Sequence, residues 1–310
     1  MNERYLNRLI NDDCKKHLPC IDKESIDLFL SDIPYGISLD TWDVLHNNTN
    51  SALLGCSPAQ IGKPGFKRRG KPINGWSSAD RNMGKEYQEW CYSWSVLLFP
   101  IMKEGASLFV FGARRTLHRA INAFEDSGFL LKDVLAWKKS SAHHRAQRAS
   151  GVLNRRGLKK EAEEWEGWRL GNLAPIYEPV AWFFKPYRMT LTDNLLKNNV
   201  GAINIDSCKT NGMNPTNLLE LGFNKNEERT HETQKPLSVI EFLIKLTTKK
   251  NQVVLDPFMG SGTTAVASLK LSRQFIGFEI NKDYYERSIA RLHEKQYAYK
   301  NKNREAEDNL

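Results

Sequence analysis

The chain has 310 residues, 45 of them Lys or Arg against 36 Asp or Glu, which leaves a net charge of +9 and favours a polyanionic partner. That length suits one large α/β domain with insertions or two small ones. No apolar run reaches the length of a membrane span and Met1-Asn2-Glu3-Arg4 opens no secretory signal, while five scattered cysteines without a C-x-x-C pair argue for reduced thiols and against a zinc site.

Leu9-Ile10 reads as a short strand running into Asp12-Asp13. Ile26-Asp27-Leu28-Phe29-Leu30 is a stronger one, ending at Ser31-Asp32-Ile33-Pro34-Tyr35-Gly36. A carboxylate, a proline and an aromatic at the carboxyl end of a strand lie where α/β sheets place ligands. Pro34 removes a backbone donor and biases Ile33 to an extended shape, so the Ile33 carbonyl can point into a cleft. Asp32 beside it makes a pair of acceptors, and Tyr35 offers a flat face. Together they suit a planar group bearing an amino substituent, such as a nucleobase. The plainer reading of the same residues is a strand-ending turn with a buried tyrosine.

Residues 40–85 are irregular and carry Lys63, Lys67, Arg68, Arg69 and Lys71 with no intervening acid, a run that reads as a solvated loop or a polyanion contact. Tyr87 to Met102 predicts a helix, Ala106 to Phe111 a strand, Thr116 to Asp126 a helix and Phe129 to Trp137 a strand. This alternation implies a largely parallel sheet. Residues 138–170 form a second basic insertion that includes Arg145, Arg148, Arg155 and Arg156. It ends in Trp165 and Trp168, either core residues or stacking surfaces for bases. His143-His144 lacks matching ligands at metal spacing and reads as a surface pair. Tyr177 to Phe184 is a strand closed by Lys185-Pro186, residues 187–230 are polar and Asn-rich, and Ser238 to Thr247 is a helix.

The organising stretch follows. Val253-Val254-Leu255 is a buried strand, and Pro257 bars it from continuing past Asp256. Gly260 and Gly262 then let the backbone turn tightly before a helix from Thr264. Gln274 to Phe278 is the next strand, closed by Glu279. Strand, glycine turn, helix, strand, acid is the plan of a dinucleotide-type pocket, the acid meeting ribose hydroxyls. A nicotinamide cofactor satisfies the G-x-G-x-x-G/A spacing, yet its pyrophosphate would meet the carboxylate of Asp256. S-adenosylmethionine carries a sulfonium and an ammonium and no phosphate, and so fits that carboxylate better. Tyr284 to Tyr297 forms a last amphipathic helix, with Lys300 to Leu310 expected to fray.

Asp32-Ile33-Pro34-Tyr35, then Gln234-Lys235-Pro236-Leu237, then Asp256-Pro257-Phe258-Met259-Gly260-Ser261-Gly262, in that order, resemble the β group of DNA amino-methyltransferases. These carry a D-P-P-Y motif ahead of F-x-G-x-G. Supporting matches are Asn11-Asp12-Asp13-Cys14, Glu178-Pro179, Gly201 to Asp206 and the Tyr285-to-Leu292 helix, so the likeness runs from near residue 9 to near 292. Two positions depart from the family pattern: Ile33, which keeps the carbonyl, and Glu232, which stands where proline is usual beside the donor pocket.

The resemblance implies a Rossmann-like, seven-stranded, mostly parallel methyltransferase sheet; with Leu9-Ile10 as the strand that follows Glu279 and its helix in space, its order is circularly permuted. It implies methyl transfer from S-adenosylmethionine to the exocyclic amino group of a flipped-out base, adenine N6 before cytosine N4. No cysteine nucleophile is needed. Asp32, Ile33, Pro34 and Tyr35 would be catalytic; Asp256, Phe258, Gly260, Gly262, Thr263, Glu279, Lys235 (near the methionine end) and Asp13 would hold the donor. Lys67, Arg68, Arg69, Arg145, Arg148, Arg155 and Arg156 would meet DNA. As one domain, the chain divides into a catalytic half (1–137), a basic insertion (138–176), a target-recognition segment (187–230) and a cofactor half (231–297). The implied partner is double-stranded DNA, with a cognate restriction endonuclease as a candidate companion. The implied setting is the cytoplasm of a bacterium, or phage-encoded, as a monomer or homodimer without a membrane. A dehydrogenase, an RNA or protein-glutamine methyltransferase and an inactive DNA-binding module are the rival readings.

Overall fold

Strand, helix and turn signals resolve into one large sheet with helices on both faces and a separate two-stranded pair. The computed structural model describes residues 3–35, 78–142, 146–224, 227 and 234–307. The basic run at 63–71, Arg145 with its two histidines, and Glu232 lie outside the described residues.

In chain order the elements are β1 (Arg8–Ile10), α1 (Cys14–His17), β2 (Ile26–Asp32), α2 (Ser78–Leu98), β3 (Met102–Phe111), α3 (Leu117–Asp126) and β4 (Leu130–Lys138). A small excursion follows: β5 (Gln147–Arg148), α4 (Ala149–Arg155), α5 (Lys159–Glu164) and β6 (Arg169–Leu170). The chain then returns through β7 (Tyr177–Phe184), α6 (Leu191–Asn198), β8 (Leu218–Leu219), α7 (Leu237–Thr247), β9 (Val253–Asp256), α8 (Thr263–Lys270), β10 (Gln274–Phe278) and α9 (Lys282–Glu307).

The main sheet runs β1-β10-β9-β2-β3-β7-β4-β8. Among the described strands of this sheet, only β7 opposes its neighbours, lying antiparallel to both β3 and β4; the other pairs are parallel. Among the described residues the sheet therefore has eight strands where seven are expected from the sequence. The extra one, β8, adds Leu218 beside Ala136 and Leu219 beside Trp137. Two residues carry no alternation that a sequence reading could detect.

Alternation decides which residue faces which layer. On β2, Phe29 packs toward α2 and α3 with Trp94 and Phe124, while Leu28 and Leu30 face Val239, Leu243 and Ile244 of α7. Leu108 and Val110 of β3 repeat the first face, Phe109 and Phe111 the second. Strand β1 pairs with β10, Leu9 opposite Gly277, and Asn11 Nδ2 donates to the Glu279 carbonyl at 2.8 Å. The N-terminal strand thus sits where permuted chain order requires.

Boundaries differ from expectation at α2, β3 and α9. Helix α2 begins at Ser78, nine residues before Tyr87, because its first turns are polar and show no apolar period. It ends at Leu98, where the nearby Pro100 bars continuation and β3 then starts early, at Met102. Helix α9 continues to Glu307, past the expected fraying point at Lys300. No helix among the described residues is long and apolar enough to cross a membrane.

Candidate active site

The carboxyl ends of β2, β9 and β10 open onto a cavity of about 240 Å³. Five carboxylates line it (Asp12, Asp13, Asp32, Asp256 and Glu279) against two lysines, Lys15 and Lys235. Such a lining repels a pyrophosphate and suits a cationic ligand. Its apolar walls come from Trp90, Trp94, Phe258 and Met259. Phe258 packs edge-on against Trp94 at 4.9 Å and tilted against Trp90 at 5.6 Å. Neither tryptophan was singled out from the sequence.

On the donor side, Asp256 ends β9 and is 2% exposed. Its Oδ1 accepts from Ser31 Oγ at 2.7 Å and from the Phe258 amide at 3.1 Å. Burial pushes its carboxyl up to about 6, against the lowering pull of these hydrogen bonds. Glu279 accepts from the Gly260 amide through Oε2 and from the Asn281 amide through Oε1, both at 2.8 Å. It therefore ties the glycine turn to the end of β10, with spare lone pairs for hydroxyl donors. Burial raises its carboxyl too. Asp13 caps α1 by accepting from the Lys15 amide at 2.9 Å and lines the opposite wall. Cys14 also lines the cavity, with its thiol pushed up to about 12 by burial, so it is no nucleophile near neutral pH. The sequence's Pro19-Cys20 pair does not line the cavity.

Helix α9 braces the turn from behind. Ser288 Oγ donates to the Gly260 carbonyl, and Arg291 Nη1 reaches the Ser261 carbonyl at 2.8 Å and Thr263 Oγ1 at 2.9 Å. Gly262 has φ +76, and a Cβ there would stand 3.2 Å from the Ser288 Cβ. Gly262→Ala is expected to destabilise the fold by about 1–2 kcal/mol, from left-handed strain and a displaced Ser288. Thermal unfolding checks this; an unchanged midpoint would mean the turn relaxes freely.

On the catalytic side, two hydroxyls clamp the segment after β2. Tyr87 Oη donates to the Pro34 carbonyl and Thr116 Oγ1 to the Tyr35 carbonyl, each at 2.7 Å. Pro34 lines the cavity, and the Ile33 side chain is buried in the core beneath. Lys235 is 5% exposed and lines the cavity beside Asp32. Its Nζ donates to Asp32 Oδ2 at 2.6 Å and to Tyr35 Oη at 3.0 Å, and lies 3.4 Å from Glu178 Oε2. Tyr35 Oη in turn donates to Glu178 Oε2 at 3.2 Å. Glu178, noted from the sequence only as a motif match, thus joins the cluster. Burial raises the Asp32 carboxyl, opposed by the Lys235 charge, and holds the Tyr35 phenol well above its ordinary value.

Arg148, Arg155 and Arg156 are exposed on the excursion closed by the β5–β6 pairing of Gln147 with Leu170 and Arg148 with Arg169. Trp165 and Trp168 meet edge to face at 5.3 Å and remain 47% and 61% exposed. They are surface residues rather than core.

An open, mostly parallel sheet whose glycine turn faces carboxylates, beside a half-buried Asp-Ile-Pro-Tyr segment, fits a Rossmann-like methyltransferase. A family model described as DNA methylase, the N6/N4 group, matches residues 26–291, and the chain belongs to that family of S-adenosylmethionine-dependent DNA amino-methyltransferases. The type II methyltransferase M.HindIII of Haemophilus influenzae is 48% identical over 291 residues, covering 92% of this chain and 94% of its own. M.HinfI, from the same species, is 25% identical over 296 residues, covering 94% of this chain and 69% of its own. Among solved structures, the M1.HpyAVI–SAM complex shares the fold with a TM-score of 0.54 at 20% identity, over 92% of this chain and 98% of that one. The PvuII cytosine-N4-specific DNA methyltransferase does so with a TM-score of 0.55 at 18% identity, over 91% and 84%.

Proposed function

We propose that the chain methylates adenine N6 at a specific site in double-stranded DNA, with Asp32 and the Ile33 carbonyl as acceptors for the target amino group. The observation that carries this reading is Asp32 Oδ1: it is buried, on a residue that lines the cavity, and has no hydrogen-bond partner among the described residues. A buried acceptor left unpaired costs about 1–3 kcal/mol, which a substrate N–H would recover.

The donor supplies an electrophilic methyl on a cationic sulfur, and Asp256, Glu279 and Asp13, with Phe258 and the turn at Gly260, Gly262 and Thr263, are the residues proposed to hold it. A base in the duplex cannot reach Asp32 and must flip out, at about a few kcal/mol. An aryl amine is a weak nucleophile because its lone pair is delocalised into the ring. Two hydrogen bonds, to Asp32 Oδ1 and the Ile33 carbonyl, favour a pyramidal nitrogen whose lone pair faces the methyl. Tyr35 stacks on the base, with more overlap on a purine. In the resembling family an initial aspartate goes more often with adenine and serine with cytosine N4; Asp32 supports adenine. Expression in an unmethylated host followed by direct sequencing for modified bases tests the assignment. N6-methyladenine at one recurrent site supports it, and N4-methylcytosine alone overturns it.

The same proposal gives DNA phosphates to Arg148, Arg155 and Arg156 and to the 62–72 run, and part of the base reading to residues 187–230. Exposure of the three arginines supports the first part. Arg155→Ala and Arg68→Ala should each lower affinity alike on all sequences and reduce the salt slope by about one unit. Wild-type binding across salt in both would make these segments solvated loops. A cognate restriction endonuclease and action in the bacterial cytoplasm belong to the proposal as well, supported by the type II relative M.HindIII.

A further inference from the structure

We infer that Lys235 is a positioning residue for methyl transfer: braced by Glu178, it holds Asp32 by one carboxylate oxygen and leaves the other free for the target amino group. This rests on the reading of Asp32 as the acceptor. Asp32 is divided in the structure. Its Oδ2 takes the Lys235 ammonium at 2.6 Å, while its Oδ1 is buried and unpartnered among the described residues. Lys235 in turn is held from several sides. Glu178 Oε2 lies 3.4 Å from its Nζ, Tyr35 Oη 3.0 Å, and the ring centres of Tyr35 and Phe111 5.4 Å and 5.6 Å away. The other oxygen of Glu178 is paired with Lys139. An ammonium caged in this way fixes the carboxylate plane, and with it the direction of Oδ1.

The arrangement also decides the protonation state. A neutral Asp32 would present a hydroxyl where a substrate N–H needs an acceptor. The groups facing Asp32 are Lys235 before α7, Tyr35 beyond β2, Glu178 on β7 and Asp256 on β9; burial and the two carboxylates favour the neutral acid, and Lys235 opposes them. Lys139 acts only through Glu178.

The test is kcat against pH at saturating S-adenosylmethionine and DNA for the wild type, Lys235→Met, Lys235→Arg and Glu178→Gln. Lys235→Met should move the acid limb up by about 1–3 pH units, the effect of removing an opposite charge at this range. Lys235→Arg should stay close to the wild type. Glu178→Gln should move the limb down, because a negative charge facing Asp32 is gone. Donor affinity of Lys235→Met by calorimetry should match the wild type. An unmoved limb, shifts of the same sign in Lys235→Met and Glu178→Gln, or lost donor affinity with an unmoved limb would overturn the inference. If Lys235→Met proves unfolded by circular dichroism, the direction of the Glu178→Gln shift decides alone. Wild-type turnover in Asp32→Ala would instead overturn the underlying reading of Asp32.

Discussion

Asp32→Ala is expected to lower kcat by about 10³-fold or more, a loss near 4 kcal/mol of transition-state stabilisation. The size follows from where the residue acts. Amino groups are planar in the ground state and pyramidal as the methyl transfers, so a fixed acceptor at Oδ1 is stronger in the transition state. Alignment of nitrogen and methyl depends on the same contact. The fold should survive, because Lys235 keeps Glu178 and Tyr35 as partners when Asp32 is truncated. Asp32→Asn retains one carbonyl acceptor and should fall between the wild type and Asp32→Ala. Steady-state methyl transfer with circular dichroism as a control checks the series. Wild-type turnover in Asp32→Ala would remove the residue from the reaction.

Asp256→Ala carries the second large effect, on donor binding. Loss of a buried carboxylate beside a cationic ligand should weaken S-adenosylmethionine by about 10- to 100-fold, in the range of 1.5–3 kcal/mol for a charge-assisted contact. The wild type should also show a pH dependence of defined sign. Burial places the Asp256 carboxyl at about 6 in the unliganded protein, and a cationic donor favours its ionised form. Donor affinity is then flat above that value and falls as pH drops through it, by about tenfold per unit once the acid is neutral. Asp256→Ala should lack this limb. Calorimetric titration across pH measures both effects, and an unchanged affinity in the variant would move the donor elsewhere.

What could be read from the sequence was what lies in contiguous motifs at strand ends. Asp32 to Tyr35 and Asp256 to Gly262 follow directly after apolar strands; Asp32 and Pro34 of the first and Asp256 to Ser261 of the second line one cavity, while Ile33, Tyr35 and Gly262 do not. Contacts made across the chain were hidden. Lys235 meets Asp32 across 203 positions, and Glu178 reaches the cluster only because β7 inserts antiparallel between β3 and β4. A family motif could say that Lys235 belongs near the pocket, not which oxygen it holds. Trp90 and Trp94 sit on one face of α2 and read as ordinary core until Phe258 is packed against them. The short helices α4, α5 and α6 span 6 to 8 residues, too few for apolar periodicity to show. Trp165 and Trp168, open between core and surface, resolve to surface once the excursion is folded.

The most direct test of the central claim is methyl transfer from isotope-labelled S-adenosylmethionine to duplex DNA by the purified protein, followed by nuclease digestion and mass spectrometry of the nucleosides. The account predicts label in N6-methyl-2′-deoxyadenosine with the wild type and incorporation slower by about 10³-fold or more with Asp32→Ala. Label in N4-methylcytosine alone, or equal label in the two proteins, would contradict it.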